Sequence, residues 1–163
     1  MILNKNHALV FILIVSTSVV AKEIDLPPIS LKCIGVMTET YKDYPTKTYE
    51  NIVRHYELSQ NKVVEHIGTI TFEHTRKEIE AGNDNIRKHS GYYTYKPLMI
   101  VYSEDISYGE SDITNRMFLI DRQTTKWEVT EFGSGGILAL SGLPSKLTNI
   151  NGYCEPWDNR AKF

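Results

Sequence analysis

The chain has 163 residues, with 18 basic and 20 acidic side chains that give a formal net charge of −2. This balance argues against a nucleic-acid-binding protein, which needs a basic excess to neutralise phosphates. The length corresponds to one domain, and 41% hydrophobic with 23% charged residues excludes a disordered chain.

Residues 1–21 have the organisation of a cleaved secretory signal peptide. Lys5 supplies a short positive region, residues 8–15 form an unbroken apolar run, and Ala21 is a small residue at the expected cleavage position. A retained membrane anchor is the alternative. However, the stretch 8–21 has 14 residues, whereas a membrane-spanning helix needs about 20.

We therefore expect an exported protein, periplasmic or secreted, with no stable membrane insertion after cleavage. Its mature part, residues 22–163, is predicted to be a single β-rich domain. The two cysteines, Cys33 and Cys154, lie near the ends of this domain. Because an exported chain meets an oxidising compartment, we expect them to form a disulfide bond, with a reactive thiol as the alternative.

The mature chain alternates apolar and polar residues with a period of two, which indicates half-buried strands. The pattern predicts an all-β fold, in which an antiparallel meander of about eight or nine strands forms a barrel or a sandwich. The disulfide would join the first strand to the last. The candidate strands are 31–36, 49–58, 63–72, 92–95, 98–102, 113–120, 126–132, 137–140 and 147–154.

One short helix is an open alternative after the third candidate strand. Thr75 and Glu78 have the spacing of a capping box, and Gly82 could end the helix. The other interpretation of this segment is a polar connection between two strands.

Asp121 is expected to begin a hairpin turn, because its carboxylate can accept hydrogen bonds from backbone amides two and three residues later. Turns of this type usually place a glycine at a following position with positive φ. Here that position falls to Thr125, a β-branched residue. The turn must therefore differ from this type or hold strain.

Histidines are the best candidates for a metal site. If Gln60 and Asn61 form a two-residue turn, His55 faces His66 across two strands, with Glu57 nearby. The alternative is a pair of exposed polar residues. Because no convincing third ligand is present, we expect neither a metal nor another cofactor.

No catalytic motif is complete. Residues 109–113 keep only the first glycine of the G-x-S-x-G nucleophile elbow, and residues 133–136 lack the lysine of a phosphate-binding loop. We therefore expect no catalytic residue and a protein that is not an enzyme.

Tyrosine is unusually frequent between residues 92 and 108, and four acidic residues surround Tyr108. Tyrosines are enriched at binding surfaces, although they also pack well in strands. Acidic residues can meet a basic groove on a partner protein, or can form a solvated loop. Adjacent Tyr92 and Tyr93 must face opposite sides of a strand. The predicted partner-binding residues are Tyr92, Tyr93, Tyr95, Tyr108, Glu104, Asp105, Glu110 and Asp112.

Three short patterns resemble small exported bacterial proteins of unknown function: Leu31-x-Cys33-x-Gly35, Ile120-Asp121-Arg122-x-Thr124 and Gly152-x-Cys154. Thr125 stands where that pattern usually has glycine. The resemblance covers the chain ends and one hairpin, and it implies export, a disulfide and strands, but no activity.

The segment Ser90-Gly91-Tyr92-Tyr93-Thr94 is similar to the Ser-Gly-x-x-Tyr loop of periplasmic inhibitors of C-type lysozymes, which are shorter proteins. The final tyrosine of that loop is displaced here by one residue, to Tyr95. This similarity implies an inhibitor.

The leading hypothesis is an exported, non-enzymatic binding protein, of the inhibitor or immunity type, that acts on an enzyme in the same compartment. A small-ligand or lipid-binding β-barrel is one alternative and requires an apolar cavity. A small hydrolase is another and requires a pocket that holds a histidine with a carboxylate partner.

Overall fold

The computed structural model describes residues 25–81, 87–109 and 111–158. These residues form one nine-stranded antiparallel sheet that curls into a half-barrel. Two short helices, α1 (Arg76–Ile79) and α2 (Gly136–Leu140), follow β4 and β8. The strands are β1 (Ile29–Tyr41), β2 (Lys47–Ser59), β3 (Lys62–Ile67), β4 (Ile70–Thr75), β5 (Lys88–Tyr95), β6 (Met99–Ser107), β7 (Ile113–Asp121), β8 (Lys126–Ser134) and β9 (Lys146–Pro156).

The order of the strands in the sheet is β4-β3-β2-β1-β9-β8-β7-β6-β5, so the first and last strands are neighbours in its centre. Cys33 on β1 lies opposite Cys154 on β9, and the two are joined by a disulfide with their Cα atoms 3.9 Å apart. The predicted all-β fold and the predicted bond are therefore confirmed.

Two features of the structure bear on the expectation of export. A disulfide fits an oxidising compartment, and no helix within the described ranges is long and apolar enough to span a membrane. The predicted signal peptide, residues 1–21, lies outside the described residues, so cleavage remains a prediction.

Two predicted strands were wrong. The run 63–72 is divided into β3 and β4 by a tight turn at Gly68, where φ is 59°; glycine adopts this conformation without steric cost. Residues 137–140 belong to α2, because the Ala139 amide bonds the Gly135 carbonyl in a helical turn. Four consecutive apolar residues have no period that separates a strand from a helix.

The predicted capping box is confirmed in α1. The Glu78 amide donates to the Thr75 hydroxyl, and the Thr75 amide donates to the Glu78 carboxylate. The helix ends at Ile79, with Glu80 as its C-cap, and the predicted end at Gly82 lies outside the described residues.

The predicted Asp121 turn is confirmed together with its strain. The Asp121 carboxylate accepts hydrogen bonds from the amides of Gln123 and Thr124, at 2.8 and 3.1 Å. Thr125 follows with a φ of 60°, a conformation that costs a β-branched residue free energy.

The core occupies the concave side of the sheet. Ring centroids of Tyr56 and Phe118 are 5.0 Å apart, and those of Tyr102 and Phe118 are 5.2 Å apart. Trp127 is also fully buried on this side. Aromatic side chains of this size contribute most of the apolar burial of a small core.

Candidate functional site

A row of polar side chains crosses the concave face of the sheet. The row lies next to the aromatic core, and its members are register neighbours on β1, β9, β8, β7 and β6. In sheet order they are Glu39, Thr148, Glu131, Arg116 and Glu104.

Two further charged residues reach this row from the opposite wall of the half-barrel. The Arg54 guanidinium on β2 lies 2.8 Å from Glu131 and 3.1 Å from Glu65 on β3. Arg116 also contacts both Glu65 and Glu131. These four residues, which we term the charge cluster, form a closed ring in which each arginine contacts both glutamates.

The charge cluster is electrically neutral and largely buried, with Glu65 only 1% exposed and Arg54 5% exposed. Burial opposes the ionised form of Glu131, but hydrogen bonding and the charge of Arg54 outweigh it and lower the pKa of that carboxyl. Ion pairs of this kind seldom stabilise a fold more than apolar residues of the same volume would. The cluster therefore marks the concave face as a candidate functional region.

Several hydrogen-bond donors border the charge cluster. The Tyr56 hydroxyl is buried beside the Arg54 guanidinium and the Trp127 indole, and the buried Thr148 hydroxyl makes no hydrogen bond within the residues that the structure describes. Buried donors without a protein partner usually bond to ordered water.

The sequence analysis missed the charge cluster, although a signal was present. Arg54 has the same strand parity as Tyr56 and Leu58, which face the core. Glu65 likewise shares its parity with Val63. A charged residue in the inward phase of an alternating strand predicts a buried charge.

Glu104 was predicted to lie on a partner-binding surface, but its side chain faces inwards and is 12% exposed. It accepts a hydrogen bond of 2.6 Å from the Tyr102 hydroxyl, and lies 2.9 Å from His89 Nε2. This is the buried histidine–carboxylate contact that the hydrolase alternative needs. Burial and the neighbouring Glu104 raise the pKa of Tyr102, so this hydroxyl stays protonated and is a poor nucleophile.

The predicted tyrosines divide between the core and the surface. Tyr92 is 54% exposed and Tyr93 is fully buried, which confirms that they face opposite sides. The Tyr93 hydroxyl donates to the Ser59 carbonyl at 2.7 Å, and the Tyr95 hydroxyl donates to the Pro27 carbonyl at 2.6 Å. Tyr93 therefore joins β5 to the end of β2, Tyr95 joins β5 to the segment before β1, and these buried rings cannot contact a partner at the surface.

The remaining predicted residues lie on the outer face of β5 and β6 and in the loop that follows them. Tyr108 is 51% exposed, Asp105 is exposed and Asp112 is half-buried. Glu110 lies outside the described residues. We term Tyr92, Asp105, Tyr108 and Asp112 the tyrosine surface.

The register that the sequence predicts for the histidine pair is confirmed, because His55 faces His66 across β2 and β3. Trp157 packs against both imidazoles, with ring centroids 4.3 and 5.8 Å away. His66 Nε2 lies 3.5 Å from Glu57. No set of three or more His, Cys, Asp or Glu side chains within the described ranges could hold a metal ion.

A pocket of about 380 Å³ opens at the end of the half-barrel where β7 turns into β8. Its wall is mostly apolar, with Asp121 and Arg122 among the polar lining residues. The apolar lining residues are Ile29, Leu31, Ile120 and Pro156.

Comparison of the chain with protein families, curated proteins and solved structures finds no match.

Proposed function

We propose that this chain is an exported binding protein of the inhibitor or immunity type, and that a basic partner enzyme docks on the tyrosine surface. The observation that carries the proposal is the exposure of Tyr92 and Tyr108, each by more than half, beside carboxylates. Tyrosine rings provide large contact area at a small cost in conformational entropy.

The acidic groups of this surface are positioned in advance and available. Asp105 accepts hydrogen bonds from Ser90 at 3.5 Å and from Asn115 at 2.5 Å, which fix its carboxylate. Neither Asp105 nor Asp112 makes an ion pair within the described part of the chain. Fixed, uncompensated carboxylates favour fast association with a basic surface.

A binding experiment against basic enzymes of the same compartment, beginning with a C-type lysozyme, tests the proposal. Tyr92→Ala should weaken binding by about 30-fold if the ring is a central contact. Asp105→Asn should reduce the association rate and its dependence on salt. Because Tyr92 lies outside the core, the melting temperature should change little.

Tyr153→Ala is the matched control, since Tyr153 is 66% exposed on β9 in the centre of the sheet. It should bind like the unmodified protein. The proposal fails if no enzyme of the panel is bound or inhibited, or if Tyr92→Ala and Tyr153→Ala bind equally well.

The pocket beside Ile120 favours a second candidate function, the binding of a small apolar ligand. Its volume of about 380 Å³ lies within the range of small-molecule sites. Leu31→Trp, at a partly buried lining residue, should narrow this pocket and reduce retention of an environment-sensitive apolar dye, whereas Tyr92→Ala should leave retention unchanged. Equal dye retention by all three proteins would contradict this function.

A further inference from the structure

Helix α2 carries the two most exposed large hydrophobic side chains among the described residues. Ile137 is 81% exposed and Leu140 is 89% exposed, and Leu143 beyond the helix is 40% exposed. Single exposed aliphatic residues are ordinary, but a cluster at one projecting point indicates an interaction site.

Hydrogen bonds fix the backbone conformation of the segment that carries this cluster. The amide of Leu143 donates to the Leu138 carbonyl, and the amide of Ser141 donates to the Ile137 carbonyl. At the base of the helix, the Ser134 hydroxyl bonds the Ser111 carbonyl at 3.2 Å. A Cβ on Gly135 would collide with the same Ser111 carbonyl, so the loop before β7 holds the helix in place.

The chemistry of the segment favours lipid over protein. Residues 132–145 contain no charged side chain; the exposed side chains of α2 are aliphatic, and the exposed Ser141 that follows adds only an uncharged hydroxyl. Protein–protein hot spots are rich in Trp, Tyr and Arg and poor in Leu. The hydrocarbon region of a bilayer, by contrast, accepts aliphatic groups and rejects charges.

The surroundings of α2 suit a membrane interface. Lys146 follows the uncharged segment directly, and the Lys42 amide bonds the Ser145 carbonyl at 3.4 Å. Lys42 is exposed, makes no ion pair within the described residues, and can meet lipid phosphates.

Two exposed tyrosines lie at the same end of the sheet as α2. Tyr44 is 56% exposed and Tyr108 is 51% exposed, and tyrosine is enriched at the headgroup level of membranes. Asp43 and Asp112 are also at this end, so electrostatic attraction is secondary to the apolar contact.

We propose that α2 is a docking tip that inserts Ile137 and Leu140 into the interfacial region of a phospholipid bilayer. The contact is peripheral and reversible, and does not depend on the tyrosine surface having a protein partner.

Co-sedimentation of the folded protein with phosphatidylcholine vesicles, and with vesicles that also contain phosphatidylglycerol, tests the proposal. Ile137→Ser and Leu140→Ser should each lower the partition coefficient by about tenfold. Lys42→Gln should weaken binding to the anionic vesicles only. Leu98→Ser is the matched control, because Leu98 is 58% exposed in the turn at the opposite end of the sheet, and its partitioning should equal that of the unmodified chain.

Three results would overturn the proposal. The first is failure of the unmodified protein to bind either kind of vesicle. The second is vesicle binding that Ile137→Ser and Leu140→Ser leave unchanged. The third is a dimer, detected by analytical ultracentrifugation, that both substitutions dissociate while vesicle binding persists, since this would assign the tip to a second copy of the chain.

Discussion

Gly35 on β1 and Gly152 on β9 lie opposite each other in the centre of the sheet, and neither position has room for a methyl group. A Cβ on Gly35 would lie 2.5 Å from the carbonyl oxygen of Asn151, and one on Gly152 would collide with the carbonyl of Ile34. The two central strands therefore approach each other as only glycine allows.

We expect Gly152→Ala to lower the free energy of unfolding by about 1–3 kcal/mol, because the new methyl group would force the two backbones apart. Urea denaturation measures this change. Gly133→Ala on β8 is the control, since its nearest atom, Leu138 Cδ1, would be at an ordinary distance of 3.5 Å. Equal destabilisation by both substitutions would show that the loss of glycine itself, rather than the collision, is responsible.

Glu65→Gln should be strongly destabilising, by about 3–5 kcal/mol, because it leaves the buried guanidinium groups of Arg54 and Arg116 without one of their two carboxylates. Glu73→Gln on the neighbouring strand removes an exposed partner of Lys62 and should have little effect. Thermal and urea unfolding of the two variants should thus differ clearly. Similar stabilities would mean that the cluster is well solvated.

The charge cluster also predicts a pH dependence of stability. Despite burial, contact with Arg54 keeps the pKa of Glu131 below its ordinary value of 4.5. A carboxyl whose pKa is lower in the folded state contributes stability above pH 4.5, and this contribution is lost as the pH falls through the folded-state pKa. Between about pH 5 and pH 3, the free energy of unfolding should therefore fall less steeply for Glu131→Gln than for the unmodified chain.

Urea midpoints measured at several pH values provide this comparison. Glu128→Gln, on the same strand but the outer face, controls for the loss of a carboxylate. If the free energy of unfolding fell with pH equally steeply in Glu131→Gln and in the unmodified protein, contact with Arg54 would not be stabilising the ionised form of Glu131.

Thr125→Gly should stabilise the protein by about 1 kcal/mol, because it relieves a β-branched residue at a φ of 60°. A higher melting temperature is the expected result. Thr130→Gly, within the regular part of β8, should lower it, since glycine there adds chain entropy to the unfolded state and removes the hydrogen bond from the Thr130 hydroxyl to Asn149. A lower melting temperature for Thr125→Gly would mean that contacts of the Thr125 side chain compensate for the cost of its positive φ.

The sequence was sufficient to predict most of the strands and the disulfide that joins the two central ones. Alternation located most strands, and the turn at Gln60 aligned His55 with His66. Alternation also separated Tyr92 from Tyr93, but did not say which of them faces the core. That choice depends on the direction in which the whole sheet curls, which no local pattern encodes.

The burial of Arg54 and Glu65 could be predicted from their strand parity, but the contacts that join the charge cluster could not. Arg54 and Glu131 are 77 residues apart, and they meet only because two walls of the half-barrel fold towards each other. Charged residues in strands are normally assigned to the solvent face. Helix α2 was missed because tertiary contacts with Ser111, rather than helix propensity, determine the backbone of its glycines.

The central position of the disulfide has a consequence for the order of folding. Seven of the ladders between described strands join neighbours along the chain, whereas β1 and β9 meet across 121 residues at the disulfide. The two meanders, 29–75 and 88–156, can each form by local closure, and their meeting is the slow, long-range step. Cys33 and Cys154 come together only where β1 pairs with β9, so the disulfide forms in molecules whose two meanders have already docked. Once formed, it prevents the two meanders from separating completely.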